Sequence, residues 1–256
     1  QFNVFGANQT ITGIIIAVLV GVILAGGFKR VSSVTDILVP VMACLYVVGA
    51  LVIIFAHVGE LPAIFGMIFQ DAFTGRAAVG GFAGATVMAA IRWGTARGVY
   101  SNEAGTGMAP LAHSSSSANH PVKQGLWGIS EVFVDTIIVC TITGLTIASS
   151  GVLGTIGPDG KPLTGVALTM AAFSTHLGTA GNWIVSVGIM LFAYSTILGW
   201  EYNGEKAWEY LWGTHTYNII YRLAFSLVVY VGATQTLDLV WNLSDIANAL
   251  MAVPNL

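Results

Sequence analysis

Residues 80–117 read GGFAGATVMAAIRWGTARGVYSNEAGTGMAPLAHSSSS, and this stretch decides the fold. It is apolar enough to lie in a membrane, yet it breaks the rules of a plain spanning helix. Gly80, Gly81, Gly84, Gly94, Gly98, Gly105 and Gly107 punctuate it, Pro110 follows, and Arg92, Arg97 and Glu103 add charge. Bilayers tolerate glycine and proline in helices, but a dense cluster beside charges predicts interrupted backbone. Such backbone survives at membrane depth only where protein or a water-filled cavity satisfies its polar groups. Close helix packing through small residues is the plainer reading, but it leaves Asn102 and Glu103 without a purpose.

Depth arithmetic locates the interruption. The polar run Ser114–Asn119 belongs at a membrane surface. Half the hydrocarbon core is about 15 Å, or about ten helical residues. Counting back from Ser114 reaches Ala104, which puts Ser101–Gly107 near the midplane. Arg92 and Arg97 then lie towards the opposite surface, where long side chains snorkel. An interruption at Trp93–Gly98 competes with this placement.

The rest of the chain agrees with a lipid environment. Of its 256 residues 55% are hydrophobic and 8% charged, against about 25% charged in soluble domains. Too few charges remain to coat a soluble surface, so lipid covers much of the exterior. A net charge of −3 points to no nucleic-acid partner. Cys44 and Cys140 sit in apolar runs and read as small buried hydrophobes rather than as a disulfide or metal pair. Gln1 is not an initiator residue, and Asn248–Leu256 stops inside an apolar stretch, so both ends read as cuts from a longer polypeptide.

The expected class is all-α, a polytopic transmembrane bundle of about seven helices. Segment A covers 11–27, B 37–57, C 79–113, D 126–149, E 182–212, F 217–232 and G 237 to the end. Residues 60–75 suit an interfacial helix, and 164–177 a short outer one. Lys29, Arg30, Lys123, Lys206 and Arg222 fall on one side, against Arg76 and Lys161 on the other, or four residues there with Arg92 and Arg97 near its surface. The basic side is expected to be cytoplasmic, so that A, C and E run inward.

Broken midplane helices are how many secondary transporters build their sites. Half-helix amides face a substrate carboxylate there, and released carbonyls and hydroxyls hold a coupling ion. Segment E offers a partner surface. About thirteen residues inward from Asn182 stand Ser195 and Thr196, with Trp200 one turn later. The hydroxyls either bond the preceding turn or form half of a site for a hard cation that wants oxygen ligands. In segment D, Glu131 and Asp135 share a helical face; they suit either an interfacial position or a proton relay. Glu201, Glu205 and Glu209 continue segment E and read as a solvated helix end.

With these residues in place a resemblance emerges. The block from GGFAGATV through SNEAGTGMAPLAHSSSSANHPVKQGLWGISEVFVDT resembles the alanine or glycine:cation symporter family, the sodium:alanine symporters. FAYSTILGWEYNGEKAWEYLWG and WNLSDIANALMAVPNL look like later blocks of that family. The resemblance implies a LeuT-like arrangement with a discontinuous helix. Residues 1–256 then form a partial transporter domain, about the fourth to tenth helices, with the first three and the last missing. It implies sodium-coupled symport of alanine or glycine across the cytoplasmic membrane in the full-length protein, with Na+ as coupling ion, no other cofactor and no enzymatic activity. The 256 residues alone are expected to be inactive.

By the same resemblance Asn102 and the backbone of Ala104, Gly105 and Thr106 touch substrate. The Phe192 carbonyl, Ser195 and Thr196 face sodium, while Thr196, Ile197 and Trp200 wall the pocket. Thr106 departs from the larger apolar residue expected in many relatives. The alternatives are a proton-coupled amino-acid transporter and a non-transporting channel or structural subunit. An intramembrane hydrolase would rest on Ser101 and His113, which are twelve residues apart.

Overall fold

The computed structural model describes residues 9–74, 83–158 and 160–255. In chain order the helices are α1 (Gln9–Leu24), α2 (Gly27–Ala56), α3 (Leu61–Thr74), α4 (Ala83–Ser101), α5 (Met108–His113) and α6 (Pro121–Val132). There follow α7 (Cys140–Ser149), α8 (Gly165–Leu177), α9 (Thr179–Trp212), α10 (Asn218–Thr234) and α11 (Leu237–Asn255). A wide π-helical turn, Phe133–Val139, joins α6 to α7 without a loop. Among the described residues there is no strand, and an isolated bridge between Ile156 and Pro162 pins the loop before α8. Arg76, Gly80 and Gly81 lie outside the described residues.

Among the described residues four helical runs are long and apolar enough to cross a membrane: Arg30–Ala56, Pro121–Ser149, Thr179–Trp212 and His215–Thr234. They correspond to segments B, D, E and F. Segment A gives a shorter apolar helix, Thr10–Leu24, and Val58–Gln70 and Gly165–Leu177 are shorter too. Segments C and G are not among the four; α4 carries Arg92 and Arg97, and α11 carries Asp238 and Asp245. Large apolar side chains such as Val18, Leu227 and Leu250 are exposed, as a lipid-facing surface requires.

The first connection differs from expectation. Lys29 and Arg30 do not sit in a loop between A and B; they lie in the opening turns of α2. The Ala25 and Gly26 amides bond Gly21 and Ile23 carbonyls at 2.9 Å, which closes α1 within its own last turn. Gly27 then takes φ 67, a left-handed value that a side chain resists, and the next helix starts at once.

The chain divides into two compact units, with boundaries inside α2, after Gly105, after Ser117 and inside α9. In the first unit (1–45, 106–117 and 186–256), Val20, Leu24, Val31 and Leu198 form a buried cluster. Ile16, Ile23, Val34, Tyr194, Ile197 and Phe225 pack around it, tying α1, α2, α9 and α10 together. Small residues let α1 approach α10: a methyl on Gly13 would lie 3.2 Å from both Ala233 and Tyr230.

In the second unit (46–105 and 118–185), Phe173 of α8 is the largest fully buried side chain. Tyr46 stacks on it with ring centroids 5.4 Å apart, and the Tyr46 hydroxyl bonds Thr143 at 2.8 Å. The aromatic edge is thus dry on one side and hydrogen-bonded on the other.

Candidate functional site

The stretch 102–107 is non-helical, as the glycine spacing predicts. Helix α4 closes with amide bonds from Asn102 to Gly98, Glu103 to Tyr100 and Ala104 to Val99, at 3.2, 3.3 and 3.1 Å. The last spans five residues, one more than an α-helix allows, so the backbone leaves the axis. Glu103, Gly105 and Gly107 take φ values of 51, 78 and 77, and α5 begins at Met108. Glycine adopts this region freely, whereas Glu103 does so at a cost of about 1 kcal/mol. Thr106 and Met108, on either side of Gly107, are buried.

The wide turn 133–139 meets the end of α4. Its opening is marked by the Cys140 amide bonding the Asp135 carbonyl five residues back. Such turns reorient side chains and recur at functional sites. Here Ser101 donates to Asp135 at 2.5 Å. The Asn102 amide donates to the Thr136 hydroxyl at 2.8 Å and to the Gly98 carbonyl at 2.9 Å, and the Thr136 hydroxyl returns a bond to Asn102 Oδ1 at 3.0 Å. Asn102 is therefore held by Thr136, a residue that sequence reading missed. The signal was there: Asp135 and Thr136 form a polar pair inside the apolar run FVDTIIV, but their partners lie 34 residues away. Glu131 stays on an exposed surface.

On α9 the Ser195 hydroxyl donates to the Phe192 carbonyl at 3.0 Å and lies 3.7 Å from Met42 Sδ. The back-bonded alternative for Ser195 is thus the one formed, and it sets two oxygens side by side. Thr196 is exposed, Trp200 half-buried, and Ile197 packs against the α1–α2–α9–α10 cluster. Ser101 bonds to Asp135 rather than to His113.

The acidic end of α9 corrects the expectation of a solvated helix end. Glu201 and Glu205 are 3% and 4% exposed. Arg222 of α10 clamps Glu205 through Nε and Nη2 at 2.5 and 3.0 Å, and its Nε lies 4.0 Å from Glu201. Glu209 accepts from Lys206 at 2.9 Å and Asn218 at 2.5 Å, with His215 Nδ1 at 2.9 Å. The physical reason is the bidentate fit of a guanidinium to a carboxylate, which lets two helices bury both. The sequence hides this pairing, because Arg222 follows Glu205 by 17 residues and a turn.

The sequence profile described as the sodium:alanine symporter family matches residues 1–256. The sodium/alanine symporter AgcS of Methanococcus maripaludis is 44% identical over 252 residues, covering 98% of this chain and 54% of that protein. A probable sodium/glutamine symporter, GlnT, of Bacillus subtilis is 35% identical, covering 99% and 51%. A sodium/proton-dependent alanine carrier of Bacillus sp. strain PS3 is 30% identical, covering 99% and 59%. The chain spans about half the length of the curated relatives it matches. With apolar helices able to span a bilayer and a family match from end to end, it belongs to the sodium:alanine symporters, a family of multi-pass membrane transporters and not of enzymes.

Proposed function

We propose that the full-length protein carries out sodium-coupled symport of small amino acids, alanine and glycine, across the cytoplasmic membrane. Residues 1–256 span about half of the matched relatives, so by themselves they are expected not to transport. The observation that carries the reading is the interruption at 102–107, where three left-handed residues separate two helices. A transporter gains a site from such a break, because groups released from helical bonding are available to a substrate carboxylate or an ion.

In this reading α4 and α5 are halves of one discontinuous membrane helix in a LeuT-like arrangement, and α1 to α11 cover about the fourth to tenth helices of the family. Asn102 and the backbone of Ala104, Gly105 and Thr106 contact the amino acid, with Thr136 fixing the Asn102 amide. Ser195, Thr196 and the Phe192 carbonyl contact sodium. A hard cation takes clustered oxygen ligands, and its binding would replace the 3.0 Å hydrogen bond between the Ser195 hydroxyl and the Phe192 carbonyl. Thr196, Ile197 and Trp200 line the pocket, the indole limiting side-chain size.

The test is uptake of labelled alanine and glycine by the full-length protein in vesicles, with and without a sodium gradient. Sodium-driven accumulation is expected; uptake indifferent to sodium removes the ion assignment, and no uptake removes the symport reading. Trp200→Ala is expected to admit larger amino acids, and unchanged selectivity would count against the pocket.

A further inference from the structure

Beyond Trp200, α9 carries Glu201, Glu205 and Glu209, one turn apart on a single face. The first two are buried at 3% and 4% exposure, and one guanidinium serves both. Arg222 directs Nε and Nη2 at Glu205, at 2.5 and 3.0 Å, so its fork is occupied there. Glu201 Oε1 lies 4.0 Å from Arg222 Nε, out of hydrogen-bond range, and this buried oxygen has no hydrogen-bond partner among the described residues.

The neighbouring polar groups described on α9 and α10 are committed elsewhere. From α9, Lys206 bonds Glu209 at 2.9 Å and lies over the Tyr202 ring. From α10, Asn218 bonds Glu209, while Tyr221 stacks between Trp208 and Phe225. His215, before α10, also meets Glu209 and is 84% exposed. On α2, a methyl at Gly27 would fall 3.7 Å from Arg222.

Among the described side chains, two buried carboxylates thus share one guanidinium, and its fork is taken by Glu205. Buried charge without a partner is costly, and a carboxylate in that position takes up a proton instead. A metal ion would fit there poorly, because it would sit on an oxygen only 4.0 Å from the Arg222 cation. A proton adds no such neighbour and turns the orphaned oxygen into part of a neutral acid.

We propose that Glu201 is a proton-binding site, holding a proton as a carboxylic acid while Arg222 is locked on Glu205. The proton is taken from water and returned to it, with no other bond made or broken. Glu209 and the exposed His215 continue the ladder from the buried acid to solvent. Should the fork of Arg222 turn to Glu201, Glu205 becomes the carboxylate that needs the proton, so the pair can exchange it. In the symporter this makes proton occupancy a second variable beside sodium, a consequence that rests on the function proposed above. The site itself does not.

The test uses the purified full-length protein in lipid. Infrared spectra across a pH titration are expected to contain the carbonyl stretch of a buried carboxylic acid, lost in Glu201→Gln and retained, shifted, in Glu201→Asp. Absence of any band that depends on residue 201 overturns the proposal, as does loss of the band on adding sodium at constant pH. Should the Gln variant fail to fold, a folded Asp variant without the band is equally fatal. In vesicles, alanine uptake by the native protein is expected to change with an imposed pH difference at fixed sodium gradient, and uptake by Glu201→Gln to lose that response. A pH response unaltered in Glu201→Gln overturns the proposal. If alanine and glycine are not taken up under any gradient, the symport reading fails while the infrared band still decides the fate of Glu201.

Discussion

Asn102 is bonded at both ends of its amide, to Gly98, and to Thr136 in both directions. Truncating it strands the Thr136 hydroxyl, and hydrogen bonds between membrane helices are worth roughly 0.6–1.7 kcal/mol. A double-mutant cycle of Asn102→Ala with Thr136→Val is therefore expected to give a coupling of about 1 kcal/mol in thermal unfolding. Uptake by Asn102→Ala and by Thr196→Ala is expected to fall about tenfold or more, the equivalent of about 1.4 kcal/mol. Ser149→Ala should change little, since its hydroxyl only returns to the Thr146 carbonyl at 3.1 Å. Arg222 is the opposite case, a residue whose loss leaves a partner buried and charged. Arg222→Gln is expected to cost about 3–5 kcal/mol, and Arg222→Gln with Glu205→Gln to recover part of it; thermal unfolding in detergent reads both.

Helices α8 and α9 meet where Gly178 turns the chain and Gly181 enters the first turn of α9. A methyl on Gly181 would collide with the Phe173 carbonyl and carbon, which belong to backbone and cannot swing aside. Gly181→Ala is expected to destabilise the protein by about 1–3 kcal/mol through overpacking, visible as a lower Tm. At this scale the sequence was a good guide wherever the signal was local. The non-helical backbone at 102–107 was legible from Gly105 and Gly107, because left-handed backbone is a property of single residues. The restart of helix at Gly27 was not, since Lys29 and Arg30 look like loop charges until the tight turn before them is known. The wide turn at 133–139 and the burial of Glu205 were equally hidden. Both depend on partners 34 and 17 residues away that only packing brings together.

At the scale of the whole molecule, His57 and His176 form a sensitive point. Their rings lie 4.2 Å apart, and His57 Nδ1 donates to the Ile53 carbonyl at 2.9 Å. Burial, and then the neighbouring His57, hold the His176 imidazole below its ordinary pKa, with Glu60 opposing. The folded protein therefore prefers neutral His176, while the unfolded chain takes a proton near pH 6.5. Stability is complete above about pH 6.5 and declines as pH falls towards the lower folded value. The Tm is expected to drop between about pH 7.5 and about pH 5.5, and His176→Gln to flatten that part of the profile. The wide turn at 133–139 has a consequence of the same reach. A π-helical turn is a helix carrying one residue too many, and each residue advances the helix by about 100°. Removing Ile137 would let the segment close into an ordinary α-helix, leaving Thr143 facing Tyr46 while Asp135 and Thr136 lose the offset that the wide turn gives them. One continuous rod thus keeps its course, and the extra residue is shouldered out locally to change what the turn presents to its neighbour.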